Sequence, residues 1–158
     1  MNFTVMKSIQ NLIKHKPKPF TFDTKFNDIA EFIVDNQYSH FPVLEQDVYV
    51  GSIAALDIQP SESKTVGDYR YALQPFFVRK DASWFEVLEK FAQFDCNILA
   101  VLTDNNKYVG YYFQEDILPF LNSTPFMKDA GLAVVVQKHY LDYSISEIAQ
   151  IVETNNCK

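Results

Sequence analysis

Glycine is scarce in this chain, with four in 158 residues. That leaves too few for the Gly-rich turn that cradles a nucleotide's phosphates in P-loop and dinucleotide-binding motifs. A nucleophile elbow and paired catalytic carboxylates are also missing, so the chain is not expected to be an enzyme. Basic residues are outnumbered, 14 Lys and Arg against 20 Asp and Glu, for a formal charge of −6. A phosphate backbone is bound through a basic face that displaces counterions, so no nucleic-acid partner is expected. Long apolar runs are lacking: a stretch such as Leu132 to Val136 is far shorter than the roughly 20 residues that span a bilayer. With no apolar segment near the start that resembles a secretory signal, the expectation is a cytoplasmic protein with no membrane partner. The two cysteines, Cys96 and Cys157, lie far apart without metal-ligand spacing. No metal site is expected, and Cys96, in a predicted helix, is read as buried and inert.

What the chain does have is apolar and aromatic mass, 47% and 15% of its residues, which argues for a packed core rather than disorder. It also has a repeat. Val50-Gly51-Ser52-Ile53-Ala54-Ala55-Leu56-Asp57-Ile58 returns as Val109-Gly110-Tyr111-Tyr112-Phe113-Gln114-Glu115-Asp116-Ile117. Both glycines and both aspartates are displaced by 59 positions (110 − 51, 116 − 57). Upstream, Phe26, Ile29, Ala30 and Ile33 match Trp84, Val87, Leu88 and Phe91, and Phe41-Pro42-Val43-Leu44 matches Leu99-Ala100-Val101-Leu102. A period of this length means two copies of one supersecondary unit, each covering the apolar face the other leaves open.

Within each copy the pattern predicts the same elements. Phe3, Met6, Ile9 and Ile13 form a helical stripe over residues 3–15 that Pro17 and Pro19 end. Short strands follow at Phe20 to Phe22 and Phe76 to Val78. Helices then open at Asp23-Thr24 and at Ser83-Trp84-Phe85-Glu86, the latter a capping-box pattern. Two hairpins come next, Phe41 to Leu44 with Tyr49 to Ile53 and Leu99 to Leu102 with Tyr108 to Tyr112, turning through Glu45-Gln46-Asp47 and Asp104-Asn105-Asn106. Each copy closes with a helix starting at Asp57 or Asp116, and the polar stretch Pro60 to Thr65 links the copies. The fold class is α+β, with a pseudo-symmetric pair of strand-helix-strand-strand-helix units.

This order, with Phe41-Pro42-Val43 before the hairpin and a Gly-to-Asp motif after it, resembles a tandem pair of CBS domains, the Bateman module, over roughly residues 3–125. The resemblance implies two repeats, residues 1–66 and 67–125, and a regulatory module that binds an adenosine compound in clefts between them. AMP, ADP, ATP and S-adenosylmethionine are the implied ligands, with no cofactor required. In the family the carboxylate of the Gly-to-Asp motif accepts from the ribose hydroxyls, which implies that role for Asp57 and Asp116. The same resemblance points to His40, Phe41, Pro42, Ala54 and Phe113 as cleft-lining residues. Lys16, Lys18, Arg79 and Lys80, which flank the first strands, are the candidates for phosphate. It also implies a homodimer, for which Phe26, Ile29, Trp84 and Phe91 would supply both core and contact surface.

The chain departs from the family where its motif carries Thr or Ser, since Ala54 and Phe113 stand there and neither donates to phosphate. Losing such a donor costs about 1 to 3 kcal/mol, or roughly one to two decades of affinity. A second reading therefore stands beside the first: a degenerate pair that serves as a structural dimerisation module without nucleotide. The individual residues also admit plainer roles. An aspartate between strand and helix also serves as an N-cap, worth about 1 kcal/mol. The lysines and arginine are also read as solvated surface charge, His40 as a strand-entrance residue, and most aromatics as core.

Residues 126–158 do not repeat. Gly131 to Gln137 reads as a buried strand, and Ser144-Ile145-Ser146-Glu147 opens a helix with Ile145, Ile148, Ala149, Ile151 and Val152 in a stripe and Asn155-Asn156 as its stop. This strand-helix unit is similar to the opening of the ACT-type domain that follows a CBS pair in some bacterial proteins. The expectation is the start of such a domain, either truncated or borrowing a sheet edge.

Overall fold

A computed structural model describes residues 8–59, 64–122 and 144–154. It is a mixed α+β fold with two small three-stranded sheets, one per copy. In the first copy, β1 (Phe20–Thr21) precedes α1 (Phe26–Asn36), β2 (His40–Glu45) and β3 (Val48–Ala54). In the second, β4 (Val78–Arg79) precedes α2 (Trp84–Phe94), β5 (Ile98–Leu102), β6 (Tyr108–Phe113) and α3 (Gln114–Asn122). Each sheet has a short parallel strand at one edge and an antiparallel hairpin, in the orders β1-β2-β3 and β4-β5-β6.

The repeated Val-Gly step has a structural cause. Register slips by one residue between Val43 and Leu44 against β3, and between Val101 and Leu102 against β6. The residues skipped are Val50 and Val109, which directly precede the matched glycines. A bulge at this point raises the local twist and re-aims the strand ends. Spatial partners lie 58 positions apart before the hairpin turns (Phe41 and Leu99) and 59 after them (Gly51 and Gly110), because the second turn is one residue longer.

The helices form for the reason their spacing suggests. Phe26, Ile29 and Ile33 are buried on one face of α1, and Val87 and Phe91 on one face of α2. Ser83 caps α2, its hydroxyl accepting from the Glu86 amide. The opening of α1 differs from expectation: Lys25 holds the cap position without a side-chain bond, and the helix begins at Phe26. Thr24 is instead taken by a turn, its hydroxyl accepting from the Thr21 amide at 3.0 Å. Both helices end in a left-handed residue, Gln37 (φ 54°) and Asp95 (φ 46°). That conformation usually falls to glycine, and in this glycine-poor chain polar residues adopt it.

The largest departure from expectation lies before each β1-type strand. Residues 3–15 were expected to form one helix; among the described residues only Ile9–Leu12 is helical, as a 3-10 turn. The chain then extends, and Lys14 pairs with Tyr111 of β6. The Lys14 amide donates to the Tyr111 carbonyl at 2.8 Å, and the Tyr111 amide donates to the Lys14 carbonyl at 3.0 Å. The second copy repeats this. After the 3-10 run Val66–Ala72, capped by a reciprocal Thr65–Asp68 pair, Gln74 pairs with Ser52 of β3 through two 2.9 Å bonds. Each copy's leading segment thus completes the sheet of the other. The tertiary ladder overrides the helical stripe because it satisfies the backbone groups of Lys14, and the prolines that follow cannot extend a helix.

Two cores follow the same exchange. One joins Phe26, Ile29, Phe41, Val43 and Ile53 with Ile98 and Tyr111 of the second copy. The other joins Phe76, Val87, Phe91, Leu99 and Tyr112 with Ile9 from the chain's leading segment. Phe26, Ile29 and Phe91 are wholly or almost wholly buried, so they are spent within the chain, contrary to the expectation that they would also meet a second copy. Cys96 is buried as expected, and burial pushes its thiol up to about 12, which keeps it protonated and unreactive. In the last stretch, α4 (Ile145–Thr154) is present with Ser144 accepting from the Glu147 amide. The strand expected at Gly131 to Gln137 and the stop at Asn155-Asn156 lie outside the described residues.

Candidate functional site

The matched ends of β3 and β6 carry the candidate aspartates, and the loops beside them explain how the chain turns there. The first amide past β3, that of Ala55, donates to the Ser39 carbonyl at 2.8 Å. Its counterpart Gln114 donates to the Asn97 carbonyl at 2.9 Å. The backbone is satisfied without a side-chain cap, so the turn begins at once. This corrects the expectation that helices start at Asp57 and Asp116. Asp57 is the last residue of a single 3-10 turn, Ala55–Asp57, with no capping bond. Asp116 is the third residue of α3. Neither aspartate is an N-cap.

On the Asp57 side, His40 feels the charge of Asp57, and Ala54 and Phe76 stand beside His40. His40 and Ala54 are cross-strand partners, and both are buried. The His40 ring stands edge-on to Phe76, 5.2 Å between centroids, and its Nδ1 lies 3.0 Å from the Ser39 hydroxyl. Burial lowers the His40 pKa below its usual 6.5, against the pull of Asp57 and then Asp95. Phe76 in turn stacks on Phe94 at 4.7 Å, and both line an adjoining cavity of about 530 Å³ with Tyr71, Leu73, Gln74 and Pro75. Asp57 is partly exposed and has no ion pair among the described residues.

Around Asp116 the arrangement differs. The Lys14 ammonium lies 2.9 Å from Asp116 Oδ2 and 5.1 Å over the ring of Phe113. Phe113 packs edge-on against Tyr38, 5.5 Å between centroids. The Tyr111 hydroxyl donates to the Lys16 carbonyl at 2.8 Å, holding the same segment down. The carboxylate of the second copy therefore already has a cation.

The remaining candidates are dispersed. Phe41 is wholly buried and stacked on Tyr38, a core residue rather than a cleft wall. Pro42 is buried in β2 opposite Ser52. Lys16 and Lys18 are exposed. Arg79 is committed to the second hairpin, donating to the Thr103 carbonyl at 2.7 Å and to Asn106 Oδ1 at 2.8 Å, with its guanidinium over Phe77. Because β4 runs parallel to β5 with Arg79 level with Leu102, Arg79 and Lys80 sit at the turn end of the sheet. Asp116 follows the opposite end, about 13 Å away at the usual strand rise. Arg79 and Lys80 thus lie at the other end of the sheet from Asp116. Lys80 borders a separate cavity of about 420 Å³ with Gln10, Asp81, Thr103 and Asp104.

Three residues at the site were not foreseen from the sequence: Lys14, Ser39 and Asn97. Asn97 Oδ1 accepts from both the Ser39 amide (2.8 Å) and the Ser39 hydroxyl (3.0 Å), and the Asn97 amide donates to Ser39 Oγ at 2.8 Å. They occupy matched places, 58 apart, so aligning the residues before Phe41 and Leu99 pairs them. Lys14 has a weaker signal, a lone charge between an apolar turn and a proline.

Comparison with known proteins agrees with this architecture. The CBS domain family model matches residues 66–123. A search of curated proteins finds no match. Among solved structures, a CBS domain pair/ACT domain protein from Thermotoga maritima is 13% identical, with a TM-score of 0.63 over 73% of this chain and 96% of its own. CBSX2 in complex with AMP is 16% identical, with a TM-score of 0.57 over 71% and 93%. The CBS domain of a bacterial CNNM/CorC family Mg2+ transporter in complex with ATP is 15% identical, with a TM-score of 0.55 over 72% and 85%. With a CBS domain in its second half, and with two matched halves exchanging their leading segments, the chain has the fold of a tandem CBS-domain pair.

Proposed function

We propose that this chain is a regulatory module that senses an adenosine compound at its first cleft, the one that carries Asp57. The carrying observation is the inequality of the two aspartates: Asp116 has Lys14 as counterion, whereas Asp57 has no ion pair among the described residues and acts electrostatically on His40, whose ring stands against Phe76 at the wall of a cavity. A carboxylate without an ion pair among the described residues suits ribose hydroxyls as donors, and the Phe76 ring beside His40 suits an adenine ring as stacking partner. Similarity to CBS pairs solved with AMP and with ATP supports the ligand class, with ADP and S-adenosylmethionine in the same class. Ala54 supplies no hydroxyl to a phosphate, so contacts to base and ribose carry this reading and affinity is modest. The role is regulatory rather than catalytic, in the cytoplasm.

The repeats span residues 1–66 and 67–125, and residues 126–158 begin an ACT-like unit, a reading supported by the capped helix α4. The module pairs with a second copy. Val34 on α1, Phe85 on α2 and Leu118 on α3 are large apolar residues left exposed, and they take over the contact role first expected of the buried set.

The test is calorimetric titration of the chain with AMP, ATP and S-adenosylmethionine, beside Asp57→Asn. Binding of at least one compound at one site per chain, weakened in Asp57→Asn by about 1 to 3 kcal/mol, is expected for a charge-assisted ribose contact. The competing reading, a dimerisation module with degenerate clefts, is favoured by Ala54 and Phe113 and gives no binding heat while the dimer persists.

A further inference from the structure

We propose that Lys14 is a resident cation that closes the second cleft, an autoinhibitory contact that excludes an adenosine compound from Asp116. This rests on the ribose role proposed above for the matched aspartates. The geometry points to it from several sides. The Lys14 ammonium is 2.9 Å from the carboxylate and 5.1 Å over the Phe113 ring, so it takes both the acceptor for a ribose and the face on which a base would stack.

Its backbone is fixed by two bonds to Tyr111, by the Tyr111 hydroxyl on the Lys16 carbonyl, and by His15 Nδ1 at 2.9 Å from the Val109 carbonyl. Gly110 makes room for this approach: a Cβ there would stand 2.3 Å from the Lys14 carbonyl oxygen. The segment is therefore held tightly against β6, with the Lys14 side chain fixed beside Asp116. The matched position in the other copy is Gln74, which pairs with Ser52 in the same way but brings no charge. Lys14 against Gln74, beside Phe113 against Ala54, thus distinguishes the two clefts. The Lys14 and Asp116 side chains are 39% and 34% exposed, but the Asp116 Oδ2 that faces the ammonium is itself buried, so Lys14 shields the acceptor it occupies.

The experiment gives Lys14 the character of its counterpart. The wild-type chain, Lys14→Gln, Lys14→Met and Lys14→Gln/Asp116→Asn are titrated with AMP by calorimetry, after circular dichroism shows each folded. Lys14→Met keeps the length of the side chain and serves if the Gln variant does not fold. The expected result is one additional AMP site per chain in the Lys14 variants, lost again when Asp116 is changed. An unaltered number of sites in both Lys14 variants overturns the proposal, whatever that number is. Wild type and variants all binding one AMP remove this proposal and leave the first-cleft reading. No binding by wild type with one site in Lys14→Gln removes the first-cleft reading and leaves this one. No binding by any of them removes both.

Discussion

Asn97 holds Ser39 across the axis relating the two halves, its amide oxygen taking both the Ser39 amide and the Ser39 hydroxyl while its own amide bonds back to Ser39 Oγ. A fourth bond, from Asn97 Nδ2 to the Gln37 carbonyl at 2.8 Å, secures the left-handed end of α1. The same two residues offer their carbonyls to Ala55 and Gln114, the first amides of the turns that carry Asp57 and Asp116. One polar pair therefore sets both aspartates.

Replacing Asn97 with Ala removes three side-chain bonds and leaves the Ser39 amide without its acceptor. At about 1 kcal/mol per bond plus a partial desolvation penalty, the expected loss is about 2 to 4 kcal/mol. Urea unfolding of the variant checks this, with a lower midpoint and an unchanged slope. Ser39→Ala likewise removes three bonds of one side chain, to Asn97 Oδ1, from the Asn97 backbone amide and with His40 Nδ1, and is expected to lose a similar amount.

Two tyrosines predict opposite signs for the same change. The Tyr49 hydroxyl donates to the Phe76 carbonyl at 2.7 Å and lies 3.0 Å from Ser52 Oγ, so Tyr49→Phe lowers stability by about 1 to 2 kcal/mol. Tyr112 is wholly buried with a hydroxyl that has no hydrogen-bond partner among the described residues, and burial pushes its pKa up to about 12. Tyr112→Phe removes the unpaired group without altering the ring, and is neutral or stabilising by up to about 1 kcal/mol. Thermal unfolding of both variants side by side decides it.

Much of this fold was legible in the residues, for identifiable reasons. Both helices show because burial is periodic in them, both hairpins because their strands are short, continuously buried apolar runs joined by polar turns, and the Val-Gly-to-Asp repeat because the same bulge is built twice. The exchange of leading segments was not legible. Lys14 meets Tyr111, and Gln74 meets Ser52, through backbone groups alone, and such a ladder leaves no side-chain period to read. The helical stripe of Ile9 and Ile13 is real but serves a packing face, since Ile9 is buried and Ile13 packs in the second core. Of the candidate site, Asp57, His40 and Ala54 were found together. Charge before or after a strand does not say which end of the sheet it reaches, as Arg79 at the turn of the second hairpin shows.

His40 makes stability depend on pH in a defined direction. Its folded pKa lies below the usual 6.5 through burial, so between that folded value and about 6.5 the unfolded chain binds more protons than the folded one. The His40 contribution is whole above about pH 6.5 and is lost as pH falls through that window. Chemical unfolding from pH 7.5 to 5 is expected to show this decline, and His40→Gln, which cannot take up the proton, shows a shallower one. Equal slopes in the two proteins would mean that His40 is as easily protonated folded as unfolded.

The matched aspartates separate by the same substitution. Asp116 lies in the first turn of α3, where a carboxylate opposes the positive end of the helix dipole, and it pairs with Lys14. Each effect is worth at most about 1 kcal/mol at a partly exposed position, because solvent screens the pair. Asp116→Ala is therefore expected to cost about 1 kcal/mol, with the loss shrinking as salt is raised toward 1 M, where the screening length falls to about 3 Å. Asp57 ends a single 3-10 turn, without a capping bond and without an ion pair among the described residues. Its replacement by Ala is expected to change stability by less than about 0.5 kcal/mol at any salt. Urea midpoints for the two variants at low and high salt measure the difference. A loss for Asp57→Ala as large as that for Asp116→Ala would mean that Asp57 holds the fold, and the case for it as a carboxylate kept free for a ligand would go with it.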